Sequence, residues 1–257
     1  MKKRAKMSYG RKILLVVCLI IFVGSAGMLA DYYLKGMRAQ NAFEDLSAMK
    51  TTETKDLKTD KGIVIGKYVD LYQQNDDIIG WVQIDDTNID YPVMQTLWAP
   101  EYYLDKNFNE DYMASGTPFM DVHSDIFIPT SNFLIYGHHM KDGTMFHDLL
   151  KYADYEFYET HKTFKFDTIY KGGQGTYEVI AAGYSQIFSP ESKRFKYYKY
   201  GGITSESEFN EYVEGVQNIA EYETGTTAQF GDQLVTLSTC AYHVENGRFF
   251  VVGKRID

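Results

Sequence analysis

Cysteine is nearly absent from this 257-residue chain, which has two, Cys18 and Cys240. Cys18 lies inside an apolar run, so Cys240 has no partner for an internal disulfide, and a disulfide-stapled secreted scaffold is excluded. Zinc-type spacings are also missing, with no Cys-x-x-Cys and no His-Glu-x-x-His to support a metal centre. Proline is scarce at 5 residues and no low-complexity tract occurs, so the chain does not read as disordered. Basic residues concentrate in the first 12 positions, where Lys2, Lys3, Arg4, Lys6, Arg11 and Lys12 stand without an acid. The other 20 basic side chains face 35 acidic ones. Nucleic-acid partners need clustered Lys and Arg to displace counterions, and this balance argues against them.

The basic block 1–12 precedes an uncharged run, 13–30, of 18 residues. That length sits at the lower edge of what spans a bilayer as a helix. Positive charge on its N-terminal side predicts a single-pass signal anchor with the N-terminus cytoplasmic and the remainder outside the cell membrane. A cleaved signal peptide is the competing reading, and Met28 at the would-be −3 position fits it poorly. Residues 31–64 read as a helical or polar stalk, helix-permissive over 32–49. Residues 65–257 then form one globular domain.

Within that domain, alternation of apolar and polar residues predicts a strand at 79–84, and further strand-like runs follow at 89–94, 117–120, 132–136, 164–170, 177–184, 233–238 and 248–252. Helical spacing predicts elements at 67–74, 144–152 and 205–222, the last opened by a Ser/Glu-rich cap. Many short strands with few helices predict a mainly β fold, a barrel or a sandwich.

The run Leu234-Val-Thr-Leu-Ser-Thr-Cys240 delivers a Cys at a strand end. A catalytic Cys acts as thiolate, which needs a base or a cation nearby. His138, after the apolar run 133–136, and Arg248, heading the last strand, are the candidates. Taken singly, each has a plain structural reading: a buried thiol, a turn His, a surface Arg. His139 competes with His138, but adjacent strand residues face opposite sides, so only one can share a groove with Cys240. His123 and His147 read as surface or packing residues. A zinc site from His138, His139 and His147 has no supporting spacing.

Taken together, the motifs resemble a family. Thr236-Leu237-Ser238-Thr239-Cys240 is similar to the TLxTC signature of sortases, with Arg248 at the expected interval. Tyr136-Gly137-His138-His139-Met140 resembles the stretch carrying the family's His. Ser238 and the YGHHM wording resemble class B. Gly80-Trp81, Ile89-Asp90-Tyr91-Pro92-Val93, Tyr102-Tyr103-Leu104 and the stretch from Gly116 to Asp121 add agreement over about residues 65–255. Ala241 departs from the acidic residues that follow the Cys in relatives.

The resemblance implies a closed eight-stranded sortase-type β-barrel with N-terminal helices and a longer helix before the Cys strand. It implies a cysteine transpeptidase without cofactor or metal: Cys240 the nucleophile, His138 the acid/base, Arg248 the oxyanion and peptide holder. Ser238, Thr239 and Leu104 would line the substrate groove. The implied partners are surface proteins bearing a C-terminal sorting signal, cleaved after Thr, and an amine on peptidoglycan or its lipid-linked precursor. The rival readings are another extracellular cysteine peptidase, though the CGSC wording of papain-like enzymes is missing, or a non-catalytic anchored wall-binding β-domain.

Overall fold

The structure, a computed structural model, describes residues 8–50 and 55–257. Residues 1–7 of the basic block and 51–54 of the expected stalk therefore lie outside the described residues. The chain divides into two units, Met1–Asn41 and Ala42–Asp257. The first consists of most of helix α1 (Tyr9–Met49), whose 13–30 portion is exposed throughout. By length and composition α1 is apolar enough to cross a membrane.

The second unit begins well before residue 65. The last turns of α1 place Phe43 and Leu46 in the core, Phe43 edge-on to Tyr91 at 4.9 Å. Ser47 and Lys50 donate to the Asp90 carboxylate at 2.5 and 2.8 Å, and the Trp81 indole N–H donates to it at 2.6 Å. A small hairpin, β1 (Leu57–Lys58) and β2 (Ile63–Val64), follows, then α2 (Val69–Gln74).

The remaining strands are β3 (Ile78–Gln83), β4 (Asp90–Met94), β5 (Phe119–Met120), β6 (Asn132–Tyr136), β7 (Thr163–Thr168), β8 (Gln174–Gln186), β9 (Leu234–Cys240) and β10 (Gly247–Arg255). They close into an eight-stranded barrel in the order β10-β8-β7-β3-β4-β5-β6-β9. Each overlaps a strand-like run expected from the sequence. Closure leaves no free edge. Two pairings are parallel, β4 with β5 and β6 with β9; the others are antiparallel.

Alternation sorts the side chains of β6, β9 and β10 cleanly. Phe133, Ile135, Val235, Leu237, Phe249 and Val251 point into the barrel. Leu134, Leu234, Phe250 and Val252 point outward, beneath α4 (Glu206–Asn218) and its Phe209, Tyr212, Val213 and Val216. Ser205 caps α4 by accepting from the Glu208 N–H. The helix stops at Asn218, short of the expected 222, because the Glu221 N–H bonds to Ala182 O at 2.8 Å and pulls the chain onto β8. Only glycine permits that approach at Gly183, where a Cβ would lie 2.5 Å from Ile219 O.

The expected helix at 144–152 is a run of 3-10 turns, Phe146–Ala153, preceded by Met145 at φ +58°. Its entry is fixed by the Phe146 N–H donating to His138 O at 2.8 Å, which leaves no room for a regular α-helical start. A six-residue helix, α3 (Tyr155–Thr160), follows behind the Asp154 cap. It is too short to display apolar periodicity.

Candidate active site

Three adjacent barrel strands build the site. β9 ends at Cys240, and its pairing with β10 sets Cys240 opposite Arg248. One residue further the Ala241 N–H donates to Gly247 O at 3.0 Å. The 240/248 pair is therefore of the non-hydrogen-bonded kind, in which side chains stand closest. On the other flank, parallel β6 sets Tyr136 opposite Ser238, and the Gly137 N–H donates to Ser238 O at 3.0 Å. Two residues along, the same register brings His138 level with Cys240.

His138, Cys240 and Arg248 all belong to the outward row, just where the cover provided by α4 gives out. All three line a cavity of about 290 Å³. The loop before β5 supplies Pro100, Glu101 and Leu104 to its walls, and the segment after β8 supplies Ile187, Tyr197 and Tyr198. A larger hollow of about 680 Å³ lies beyond Asp121 and Tyr198, which both spaces share, and contains none of the three residues.

The His138 ring is anchored by Nε2, 2.8 Å from Leu104 O. A carbonyl only accepts, so Nε2 carries a hydrogen and Nδ1 is the atom left for proton exchange. The Arg248 guanidinium donates through Nη1 to Gly247 O at 3.0 Å, which braces it along its own hairpin. Its fork of donors can serve a carbonyl oxygen at the Cys240 end of the cavity. A nucleophile, a ring nitrogen and a guanidinium converging on one groove are what acyl transfer through a thioester requires.

Ser238 and Thr239 hold different positions. Ser238 shares the outward row, and its hydroxyl meets the Tyr197 hydroxyl at 2.6 Å, both fully buried. One step further along β9, Thr239 Oγ1 donates to Gly137 O at 2.7 Å, which ties β9 to β6. Leu104 is half-exposed on the cavity wall and acts on His138 through its carbonyl. Tyr197 carries no motif in the sequence and is reached only through the fold. Ala241 is buried with the inner core, so an acidic side chain there would lose solvation.

The other histidines lie elsewhere. His139 points away from the cavity, with Nδ1 3.0 Å from Cys240 O and Nε2 3.1 Å from His147 Nδ1. His123 is exposed beside Asp121 at 2.9 Å. Among the described residues no group of three His, Cys, Asp or Glu side chains is placed to hold a metal.

The family model for the sortase domain matches residues 82–256. Sortase B of Listeria monocytogenes is 31% identical over 98% of this chain and 99% of its own. The crystal structure of Bacillus anthracis sortase B in complex with AAEK1 superposes with a TM-score of 0.72 at 29% identity, covering 88% of this chain and 99% of that one. A Staphylococcus aureus sortase B–substrate complex shares the fold, with a TM-score of 0.72 at 24% identity over 87% of this chain and 99% of that one. A closed barrel, a Cys–His–Arg groove and these relatives place the chain in the sortase family, as a cysteine transpeptidase of class B.

Proposed function

We propose that this enzyme cleaves a C-terminal sorting motif of secreted proteins after Thr and transfers the acyl group to a cell-wall amine. The observation that carries the reading is the single row formed by His138, Cys240 and Arg248 across three neighbouring strands. The Cys240 thiolate attacks the Thr carbonyl carbon, and Arg248 donates to the oxygen as it gains charge. The C–N bond breaks, His138 gives its proton to the leaving amine, and a thioester remains on Cys240. An incoming amine then gives a proton to His138, attacks the thioester and releases the thiolate. The apolar length of α1 supports a single-pass anchor, with the basic block cytoplasmic and the barrel outside. The acceptor would be peptidoglycan or its lipid-linked precursor.

The test uses Cys240→Ala with a fluorogenic peptide carrying a Thr-containing sorting motif, with and without an amine acceptor. Loss of cleavage with the fold retained is the expected result. Undiminished cleavage would remove Cys240 from the mechanism.

A further inference from the structure

His139 plays no part in the chemistry above, yet among the described residues it makes the one side-chain bond to the backbone of Cys240. The β6–β9 ladder ends at the Gly137 N–H, which donates to Ser238 O. Parallel pairing would next call on the His139 N–H to reach Cys240 O. The His139 ring takes that place, with Nδ1 3.0 Å from the Cys240 carbonyl.

The protons of the cluster are fixed by its acceptors. Cys240 O requires a hydrogen on His139 Nδ1, and Met140 O, 2.8 Å from His147 Nδ1, requires one there. His139 Nε2 must then be a lone pair, 3.1 Å from His147 Nδ1, that shares with Met140 O the single hydrogen on that nitrogen. His139 is therefore the neutral Nδ1–H tautomer in this arrangement, set by the Cys240 carbonyl on one side and the His147 hydrogen on the other. Tyr242 closes the stack, its ring 5.3 Å from that of His139 and its hydroxyl donating to His139 O at 3.3 Å.

We propose that His139, oriented by His147, is a positioning residue for transpeptidation. It binds the strand end carrying Cys240 to the strand end carrying His138, past the point where backbone pairing stops. His138 and His139 share a peptide bond, so a ring that holds Cys240 O from one side of β6 also sets the distance between His138 and Cys240 on the other. The inference rests on those two residues being acid/base and nucleophile.

The test measures kcat and KM of the full chain in detergent micelles, using a quenched fluorogenic peptide chosen from a Thr-containing library by its cleavage with the unaltered enzyme. His139→Phe keeps the ring and removes the bond; kcat should fall about 10- to 100-fold, because small misplacements of reacting groups are costly. KM should stay within about twofold. His139→Asn puts an amide donor where Nδ1 stood and should recover kcat to within about threefold. His139→Gln, whose donor reaches the Nε2 position, should not. A kcat unchanged in His139→Phe, a loss confined to KM, or equal losses in the Asn and Gln variants would each overturn the proposal. If His139→Phe does not fold, the Asn–Gln contrast decides alone. Cys240→Ala separates the two levels: activity there refutes the nucleophile itself. An inactive Cys240→Ala beside a fully active His139→Phe refutes only the positioning role.

Discussion

The hydroxyl pair beside the row of His138, Cys240 and Arg248 offers a quantitative test of how this wall is held. Tyr197 and Ser238 meet at 2.6 Å, and neither side chain has measurable exposure beyond 1%. Among the described residues neither hydroxyl has another hydrogen-bond partner. Burial also pushes the Tyr197 phenol well above its usual range, so it stays neutral across the accessible pH range. Tyr197→Phe strands the Ser238 hydroxyl, and Ser238→Ala strands the phenol. Each should cost about 1–3 kcal/mol, the penalty of a buried unsatisfied polar group. The double variant strands nothing, so its cost should fall below the sum of the singles by about 1–2 kcal/mol. Urea unfolding of the four proteins, followed by far-UV circular dichroism, gives the cycle directly. For a domain of this size the single variants should also lower Tm by about 2–4 °C per kcal/mol. Strict additivity, within about 0.5 kcal/mol, would refute the claim that the hydroxyls depend on each other.

Two further predictions concern the strand ends and the α1 junction. Gly137 precedes His138, the proposed acid/base, and an added Cβ would lie 2.6 Å from the Phe146 ring; Gly137→Ala should cost about 1–3 kcal/mol and depress activity. Phe146→Leu in the same chain should restore part of both in thermal melts and peptide cleavage, and no restoration would sink the steric account. Burial raises the Asp90 carboxyl, but the hydrogen bonds from Lys50, Ser47 and Trp81 outweigh it and hold the group below its usual range. A carboxylate with a lowered folded value stabilises above the unfolded pKa near 4 and loses that contribution as pH falls through the folded one. Asp90→Asn should therefore destabilise by about 1–3 kcal/mol at pH 7, with the gap from the unaltered protein narrowing below about pH 4. A pH-independent gap in urea unfolding would contradict it.

Much of the fold can be read before any coordinates, because the barrel strands are short apolar runs separated by turn residues. The readings that differ share one cause: short elements are shaped by what they touch. The 3-10 run at Phe146–Ala153 takes its start from His138 O, and α4 gives up its last turn to Ala182 O. The proposed catalytic row is only half legible. Cys240 and Arg248 sit in neighbouring strands joined by a short hairpin, but placing His138 beside them requires knowing that β6 pairs with β9. Tyr197, the Leu104 carbonyl and the His139–His147 contact have no sequence spacing at all, since each is a tertiary contact made by a residue type with many ordinary uses.

The parallel β6–β9 pairing has a consequence in time. It joins residues 102 positions apart, such as Gly137 and Thr239. Contacts of such separation require closing a long loop before any stabilisation returns, so they form late and slowly. The α4 layer and the β9–β10 hairpin can form from nearby sequence first, with Cys240 and Arg248 already side by side. His138 joins them only when the barrel shuts. Until that last seam closes the Cys240 thiol would stand without His138, and catalytic competence would report completion of folding.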